Sequence, residues 1–480
     1  MLSRPRKPAL AVAAATLLIA NVVANVPAHA EDAPASSPPW EFRTPTGKLT
    51  GNADTYTQPI IGQATNLYRF DGEFEQTLTN TEYTLRATPW VWVRAPDTIG
   101  GDSKSARPYF ELKEGWIDRV SPSWDIRVGN QIFAWGTADQ INPTDVWNPR
   151  DLFDPFVATK LPISAAQLKI HPSQIESMSL EVIYTPFFRP SRLPITIPDV
   201  GTGTFTLNDS RWLLPFPNGV ASGGATAPLQ YSITPATYPE TWELGARLKL
   251  MRVGGWDFSV SGWSGVESIA RFAFTTKGNP TDPSLPISVT LNPSFHREQM
   301  YGFDGAGSIS FGEMDIGTRF EMAYYRRDNT RAYAAPVALQ ADLLRDDDFE
   351  GVIGGDYTFK RNILGTVVYT NLQFVDFQRV GHLEQQPGQA VIQGLPDAQP
   401  WDRDLVAYLE DRIGTKIKFG GTFVTSFVNQ DSLIEPQFQY GWTDNLKTTL
   451  SGTIFMGNKA GFFGQFNDDN RVTLNASYVF

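Results

Sequence analysis

Alternation between apolar and polar side chains recurs along this chain and limits its fold more than any other feature of the sequence. Residues 242–250 and 313–324 are the clearest cases, because apolar side chains at every second position alternate with polar residues or glycine. Successive side chains of a β-strand point to opposite faces, so each segment predicts a strand with one face suited to an apolar medium and one suited to water. We expect the polar faces to line the wall of a lumen. The residues concerned are Glu243, Arg247, Lys249, Glu313, Asp315, Arg319 and Glu321.

The same alternation in residues 124–128, 434–442, 446–456 and 472–480 predicts an all-β fold. After the first thirty residues there is no run of about 18 apolar residues, which excludes membrane-spanning helices. Charged side chains are too frequent on the polar faces to fill a dry core, because unpaired buried charge is costly. The sequence therefore predicts a closed, transmembrane, antiparallel up-and-down β-barrel with an inward-folded loop, and not a soluble β-sandwich.

The lengths of the connections predict the number of strands. Outer-membrane barrels have short periplasmic turns and longer outer loops. Eight short connections, with both termini on the periplasmic side, imply 18 strands, or 16 if residues 48–56 belong to an N-terminal tail. Short connections are expected at residues 79–81, 121–123, 172–176, 254–255, 312–313, 360–362, 420–421 and 443–445. Long ones are expected at residues 96–105, 136–162, 187–240, 268–298, 327–347, 378–402 and 457–470.

The two ends of the chain indicate export to the outer membrane of a Gram-negative bacterium. Basic residues between Arg4 and Lys7 precede an apolar run, and Ala28-His29-Ala30 has the small-x-small pattern of a signal peptidase site. We expect a signal peptide over residues 1–30, a Pro-rich segment over 31–43 and the barrel over 44–480. The last alternating segment stops at Phe480 and resembles the recognition signal of outer-membrane barrel proteins.

Net charge and residue usage exclude several classes of function. The formal net charge is −11, and it becomes −14 when the three basic residues of the leader are removed, which argues against nucleic acid as a partner. The chain has no cysteine, and His171, His296 and His382 are too widely spaced to predict a metal site. Neither a Gly-x-Ser-x-Gly elbow nor a Gly-rich phosphate loop is present. We therefore expect no enzymatic activity, no catalytic residues, no metal and no cofactor.

Residues 129–153 differ from the generic barrel pattern. Two hexads follow each other directly, from Asn142 to Trp147 and from Asn148 to Phe153, and each begins with Asn-Pro and has Asp at its fourth position. This pattern favours a short, capped helical turn. The segment follows the fifth expected strand, so it is expected either to constrict or plug the lumen, or to pack against the inner wall for stability alone. The candidate constriction residues are Gln131, Trp135, Asp139, Asn142, Asp145, Asn148, Arg150 and Asp151.

This segment also resembles a family of Gram-negative outer-membrane proteins of porin type that is known only as a domain of unknown function. Some members of that family are encoded beside exporters of the resistance-nodulation-division class. The resemblance covers about 25 residues, and it implies an outer-membrane channel or export component with no assigned substrate. The residues that carry it are Gly129, Gln131, Trp135, Gly136, Asp139, Asn142, Pro143 and Asp145.

Passive diffusion of small solutes through a loop-constricted pore is the function that the sequence favours. An apolar loop over residues 187–222 leaves open a channel for hydrophobic molecules, because exposed apolar patches mark contact surfaces. A closed structural or adhesive barrel is a further alternative. The expected partners are outer-membrane lipid, lipopolysaccharide and a small-molecule solute, and the sequence also leaves open a homo-oligomer or an exporter partner.

Overall fold

A computed structural model shows that the alternating segments form strands and that the strands close into a barrel. The structure describes residues 40–58, 64–98, 107–152, 154, 156–172, 175, 177–192, 219–222, 225–233, 241–277, 287–312, 314–333, 344–345, 347–363, 365–381, 384–385, 401–458 and 461–480. The chain divides into the units Met1–Trp40 and Glu41–Phe480, and the second unit contains the barrel. The predicted signal peptide and residues 31–39 lie outside the described residues.

Within the described residues, eighteen strands form the closed antiparallel barrel that the sequence predicted. They are β1 (Thr46–Tyr56), β2 (Ala64–Thr79), β3 (Tyr83–Thr98), β4 (Arg107–Val120), β5 (Trp124–Gln131), β6 (Ile163–Ile170), β7 (Met178–Thr185), β8 (Glu243–Val253), β9 (Trp256–Val266), β10 (Ile287–Phe311), β11 (Met314–Tyr333), β12 (Asp348–Ile363), β13 (Thr366–Val380), β14 (Trp401–Ile413), β15 (Ile417–Ser426), β16 (Asp431–Gly441), β17 (Leu446–Gly457) and β18 (Arg471–Val479).

The barrel closes where β1 pairs with β18, a junction that we call the seam. Lys48 lies opposite Val479 at one end of this pairing, and Tyr56 lies opposite Arg471 at the other. On its other side β1 pairs with β2. Residues 46–56 therefore belong to the barrel wall, and the alternative count of 16 strands is wrong.

The short connections all lie at one end of the barrel, and two of them differ from the prediction. Residues 360–362 continue β12, which ends at Ile363, and Gly365 precedes β13. Residues 420–421 lie inside β15, and the turn comes earlier, at Gly414, whose φ of +59° suits glycine. Glycine is required at position 420 by strand packing and not by a turn, since a Cβ there would lie 1.9 Å from the carbonyl oxygen of Leu409 on the neighbouring strand.

The outer face of the barrel is apolar, as the alternation predicted. In β8, Leu244 and Leu248 are exposed on the outside, whereas Glu243 and Arg247, each directly before one of them, are buried on the inside. This outer surface and the closed hydrogen-bonded wall are the architecture of a Gram-negative outer-membrane protein. Other exposed apolar side chains of the outer face are Val260, Tyr301, Phe303, Met322, Tyr324, Ile353, Phe374, Leu409, Leu450 and Leu474.

The strands β10 and β11 extend beyond the predicted loop boundaries. The loop predicted over residues 268–298 instead contains the start of β10, which pairs with Arg271–Lys277 and, in parallel, with Ala225–Ile233. The other short strands are Glu41–Phe42, Arg150–Asp151, Thr159–Lys160, Gly219–Ser222, Leu344–Arg345 and Glu384–Gln385. A short 3-10 helix, Gly464–Asp469, precedes β18. None of the helical segments in the described part of the chain is long and apolar enough to cross a membrane.

Candidate functional site

The connection between β5 and β6, which we call the inner loop (residues 132–162), contacts strands around the whole barrel. Trp147 packs with residues of β6, β7, β9, β10 and β11, and Ala138 packs with residues of β12, β13 and β14. Phe156 packs with residues of β1, β2, β16 and β17, and Leu161 packs with residues of β3. A single segment can contact strands on so many sides of a closed barrel only from the inside. The inner loop therefore lies in the lumen, as the sequence predicted.

The carboxylate of Glu321, on β11, anchors the first half of the inner loop. It accepts hydrogen bonds from the backbone N–H groups of Thr137 (3.0 Å), Ala138 (3.3 Å) and Thr144 (2.6 Å) and from the hydroxyl of Thr144 (2.8 Å). Gly136 has a φ of +88°, and a Cβ there would lie 2.4 Å from the carboxylate. Glycine at this position thus allows the loop backbone to wrap closely around Glu321.

Two more contacts with β11 flank this carboxylate. Arg319 pairs with Asp139 of the loop and, at 2.8 Å, with Asp356 of β12. The hydroxyl of Tyr325 donates a hydrogen bond to the carbonyl oxygen of Pro143. The side chains at 319, 321 and 325 of one strand therefore bind successive parts of the loop.

A group of aromatic rings fixes the same half of the loop to the wall. Trp135 and Trp147 pack edge to face with centroids 5.4 Å apart, and Trp147 packs in the same way against Trp263 of β9 at 6.3 Å. The indole N–H of Trp135 donates to Glu181 of β7 at 2.9 Å. Buried aromatic pairs add about 0.5–1.5 kcal/mol each to the energy of area burial. These rings form one of several apolar clusters between the inner loop and the wall.

The two Asn-Pro hexads do not form the predicted helical turns within the described residues. In the first, the N–H of Asp145 donates to the carbonyl of Asn142 (3.1 Å), which closes one non-helical turn. In the second, Asn148 binds other segments instead of capping a helix: its oxygen accepts from the N–H of Phe133 (2.6 Å), and its amide donates to the carbonyls of Gln131 (3.2 Å) and Leu161 (2.9 Å). The helical prediction was wrong: the first hexad closes only this one turn, and in the second the side chain that should cap the helix, Asn148, binds distant partners.

Asp145 likewise binds across the loop. Its carboxylate pairs with Lys160 at 2.6 Å and with Arg150 at 3.2 Å. Arg150 and the next residue, Asp151, form a two-residue strand with Thr159–Lys160. Residues 145–152 and 156–160 are therefore joined by a short strand pair and by ion pairs within the loop.

Asp154 anchors the second half of the inner loop at the seam. Its carboxylate pairs with Arg471 of β18 at 2.6 Å and with Arg69 of β2 at 3.4 Å, and Arg69 pairs with Asp54 of β1 at 2.9 Å. Burial alone would raise the pKa of the Asp154 carboxyl, but the charges of Arg471 and Arg69 outweigh it and hold this pKa below its usual value. One loop residue thus connects three consecutive strands of the closed barrel.

Phe156 adds an apolar contact beside this network. Its ring packs against Phe455 of β17 at 4.7 Å and against Phe466 of the 3-10 helix at 5.5 Å. Phe462 and Phe463, from the same connection between β17 and β18, lie 6.1 and 6.3 Å from it. This last long connection therefore also folds toward the inner loop.

The candidate constriction residues divide into a buried set and a water-facing pair. Asp139 and Arg150 face water, with side chains 40% and 41% exposed. Asn142 is half-buried. The others are buried and hold the loop together; they are Gln131, Trp135, Asp145, Asn148 and Asp151.

The candidate lumen-wall residues lie on the inner face at different depths. Glu243 and Arg247 are buried, and Arg247 forms a bidentate ion pair with Asp304 of β10 at 2.9 and 3.0 Å. Lys249 is half-buried, and Asp315 is exposed beside the short turn that precedes β11. Arg319 and Glu321 hold the loop, as described above, and Glu313 lies outside the described residues. Because the candidate residues near the inner loop are buried, other side chains line the part of the lumen wall that faces water.

Charged side chains that the sequence did not single out line the inner face of β2, β3 and β4. Arg86 pairs with Glu75 and, at 3.1 Å, with Glu114, and Lys113 pairs with Glu73. Each of these side chains is between 22% and 32% exposed, so they reach water. Their alternation along β2 to β4 is the sequence signal that could have identified them.

Asp154 and its partners were also missed. Asp154 and Arg471 are 317 positions apart, and no local pattern relates them.

The loop over residues 187–222, proposed for hydrophobic solutes, lies mostly outside the described residues.

Comparison with known proteins gives structural similarity without a family. No family model and no curated protein matches the chain. OccAB1 of Acinetobacter baumannii has a TM-score of 0.49 at 8% identity, covering 91% of this chain and 96% of its own. OccD3 of Pseudomonas aeruginosa has a TM-score of 0.46 at 9% identity, covering 93% of both chains. Wzi of Escherichia coli, a carbohydrate-binding outer-membrane barrel involved in capsule assembly, has a TM-score of 0.42 at 10% identity, covering 90% of this chain and 84% of its own.

Proposed function

We propose that this protein is a passive diffusion channel of the outer membrane, in which the inner loop narrows an aqueous lumen and small polar solutes pass beside it. One observation supports the proposal above all: the inner loop is attached at the seam and also to β9, β10 and β11, about half a circumference away. A segment fixed at these two places crosses the lumen. An 18-stranded barrel is wide enough to hold such a loop and still leave a water-filled path.

The charges beside this path have both signs. Asp139 and Arg150 of the loop face water, and the opposite part of the wall carries the ion pairs of Arg86 and Lys113 with glutamates. Rings of a single charge sign give channels strong ion selectivity. Mixed pairs therefore favour polar solutes with little preference for cations or anions.

Planar-bilayer conductance of the detergent-purified protein tests the proposal. Deletion of residues 142–153 removes most of the crossing segment, so we expect a small conductance in the intact chain and a severalfold larger one after deletion. The matched control deletes the same number of residues, 387–398, from the connection between β13 and β14. Equal conductance of the intact and deleted chains would contradict the narrowing, and silence of both would favour a closed structural barrel.

A point variant tests the same path without a deletion. Because the chain has no cysteine, Asp139→Cys creates a single thiol at the water-facing edge of the loop. Reaction with a bulky methanethiosulfonate reagent should reduce the conductance of this variant. The same treatment of Phe110→Cys, on the outer face and 76% exposed, should have no effect. Unchanged conductance of labelled Asp139→Cys would show that solutes pass elsewhere.

The resemblance of residues 129–145 implies an exporter partner for some members of that family, and the conductance measurement separates this alternative from a channel that acts alone. Conductance of the isolated protein is the relevant readout, because an exporter-dependent component would be silent alone. Co-purification of a periplasmic adaptor together with a silent isolated barrel would instead support the export role.

A further inference from the structure

Two arginine side chains on the outer face of the barrel have no part in the proposed channel. Arg297 lies at an irregularity of β10, and Arg326 lies on β11 opposite Gln299. The pair Tyr301 and Tyr324 lies two residues nearer the short turns on the same outer face. Both arginines are therefore at the end with the long connections, which is the extracellular edge of the membrane-facing surface.

The guanidinium of Arg297 is held in place by neutral groups. It lies 4.4 Å from the ring centre of Trp242, an exposed outer-face residue. It donates hydrogen bonds to the hydroxyl of Thr241 (3.3 Å), the carbonyl of Trp242 (3.3 Å) and the hydroxyl of Ser264 (3.1 Å). Because a guanidinium has five N–H donors, it retains donors for an anion.

Neither arginine has a carboxylate within ion-pair distance among the described residues, and Arg326 is exposed. A third outer-face arginine at the same edge, Arg403, differs from them. It binds both oxygens of Asp376, at 3.1 and 2.7 Å. Arg297 and Arg326 thus keep positive charge available at the rim, whereas the charge of Arg403 is already compensated.

We propose that Arg297 and Arg326 form a binding site for the phosphorylated headgroup of a lipopolysaccharide anchor, lipid A. Gln299 lies two residues from Arg297 and opposite Arg326, so the two side chains start on neighbouring strands, about 7 Å apart along them. The Arg297 guanidinium points toward Ser264 of β9, away from β11, so the two arginines can bind the separate phosphates of one bisphosphorylated headgroup. Arginine binds phosphate through paired N–H donors. The rings of Trp242 and Tyr301 provide an apolar surface for the acyl chains at the same edge.

Native mass spectrometry of the detergent-purified full chain with added bisphosphorylated lipid A tests this site. The double variant Arg297→Ala/Arg326→Ala should bind at least about tenfold more weakly than the wild type, because charge-assisted hydrogen bonds are lost. Arg361→Ala removes one arginine from the short-turn end of the outer face, where Arg361 pairs with Asp411, and should bind as the wild type does. Heat-modifiable migration on gels confirms that each variant is folded.

Two further arms identify the ligand chemistry. Dephosphorylated lipid A should bind the wild type no better than it binds the double variant, and inorganic phosphate at equal concentration should not compete. A chelator is present in all samples. It removes divalent cations that would otherwise link a lipid phosphate to the carboxylate of Asp347, which is exposed and binds Tyr324. Equal binding of bisphosphorylated lipid A to the wild type and the folded double variant would overturn the proposal. Full competition by inorganic phosphate would overturn the assignment to a lipid.

Discussion

The two halves of the inner loop are attached to the barrel by different kinds of contact. The first half surrounds one buried carboxylate, Glu321, with neutral backbone and hydroxyl donors, and packs its tryptophans beside it. The second half places its own carboxylate, Asp154, between two arginines of the wall. At Glu321 the wall supplies the charge and the loop supplies dipoles, whereas at Asp154 both partners are charged.

This difference predicts different sensitivities. The neutral donors of the first half are satisfied only by the Glu321 carboxylate, so removal of this acceptor leaves several buried N–H and O–H groups without partners. In the charged network each arginine has a second acidic neighbour, because Arg69 also pairs with Asp54, and Arg471 lies 4.0 Å from Asp54. The first attachment should therefore be the stronger one and the harder to replace.

The largest effect is expected from Glu321→Ala. Three backbone N–H groups and one hydroxyl would lose their acceptor, at a cost of about 1 kcal/mol or more each. We expect amide exchange of residues 133–147 to accelerate by about a hundredfold or more, with much less change in residues 156–161, measured by hydrogen-exchange mass spectrometry. Glu82→Ala, at an exposed turn, is the control. Equal acceleration of both halves would mean that the loop detaches as one unit and that the comparison is wrong.

A smaller effect in the other half is expected from Asp154→Asn. The substitution keeps the shape of the side chain but removes its charge, and Asp54 still compensates the two arginines, so we expect a cost of about 1–3 kcal/mol. Exchange in residues 156–161 should rise about tenfold, with residues 133–147 unchanged. Asp118→Asn breaks an ion pair with Arg127 on the wall and should leave both loop segments unaffected.

Acid should reproduce part of the Asp154→Asn effect. The folded pKa of Asp154 lies below its ordinary value of 3.8, so the stabilisation by its charge is fully present above about pH 5 and is lost as the pH falls below 3.8 and through the folded pKa. We expect exchange in residues 156–161, corrected for its intrinsic pH dependence, to increase between about pH 4 and pH 3 in the wild type. The same segment of Asp154→Asn should show no such increase, and an equal increase in both proteins would assign the acid response to other carboxylates.

Much of the fold could be predicted because alternation is a local signal. The outward position of Leu244 and the inward position of Arg247 follow from the sequence alone, since an antiparallel barrel separates its two faces at every residue. The turn was wrongly placed at residues 360–362 because their polar side chains, such as Arg361, are typical of turns. Such side chains also occur at the ends of strands, where the barrel rim meets water. Gly420 was misread because it is required by close strand packing.

The candidate site was predictable in place but not in chemistry. The Asn-Pro hexads identified a loop that enters the lumen, and Asp139 and Arg150 do face water there. The roles of Asn148 and Glu321 depend on partners far away in the sequence, so capping rules for short helices gave the wrong local structure. No pattern in one sequence relates Asp154 to Arg471.

The position of Asp154 has a consequence for the order of assembly. Its carboxylate contacts Arg69 near the start of the barrel and Arg471 in the final strand, and the pairing of β1 with β18 is the last that the chain can complete when it is made from its N-terminus. We therefore expect the inner loop to enter before this pairing closes the wall, because the contacts of Asp154 span both sides of the seam. Insertion of the loop would then be a step of barrel biogenesis, and a chain that closed without it would be a misfolded barrel that lacks these contacts.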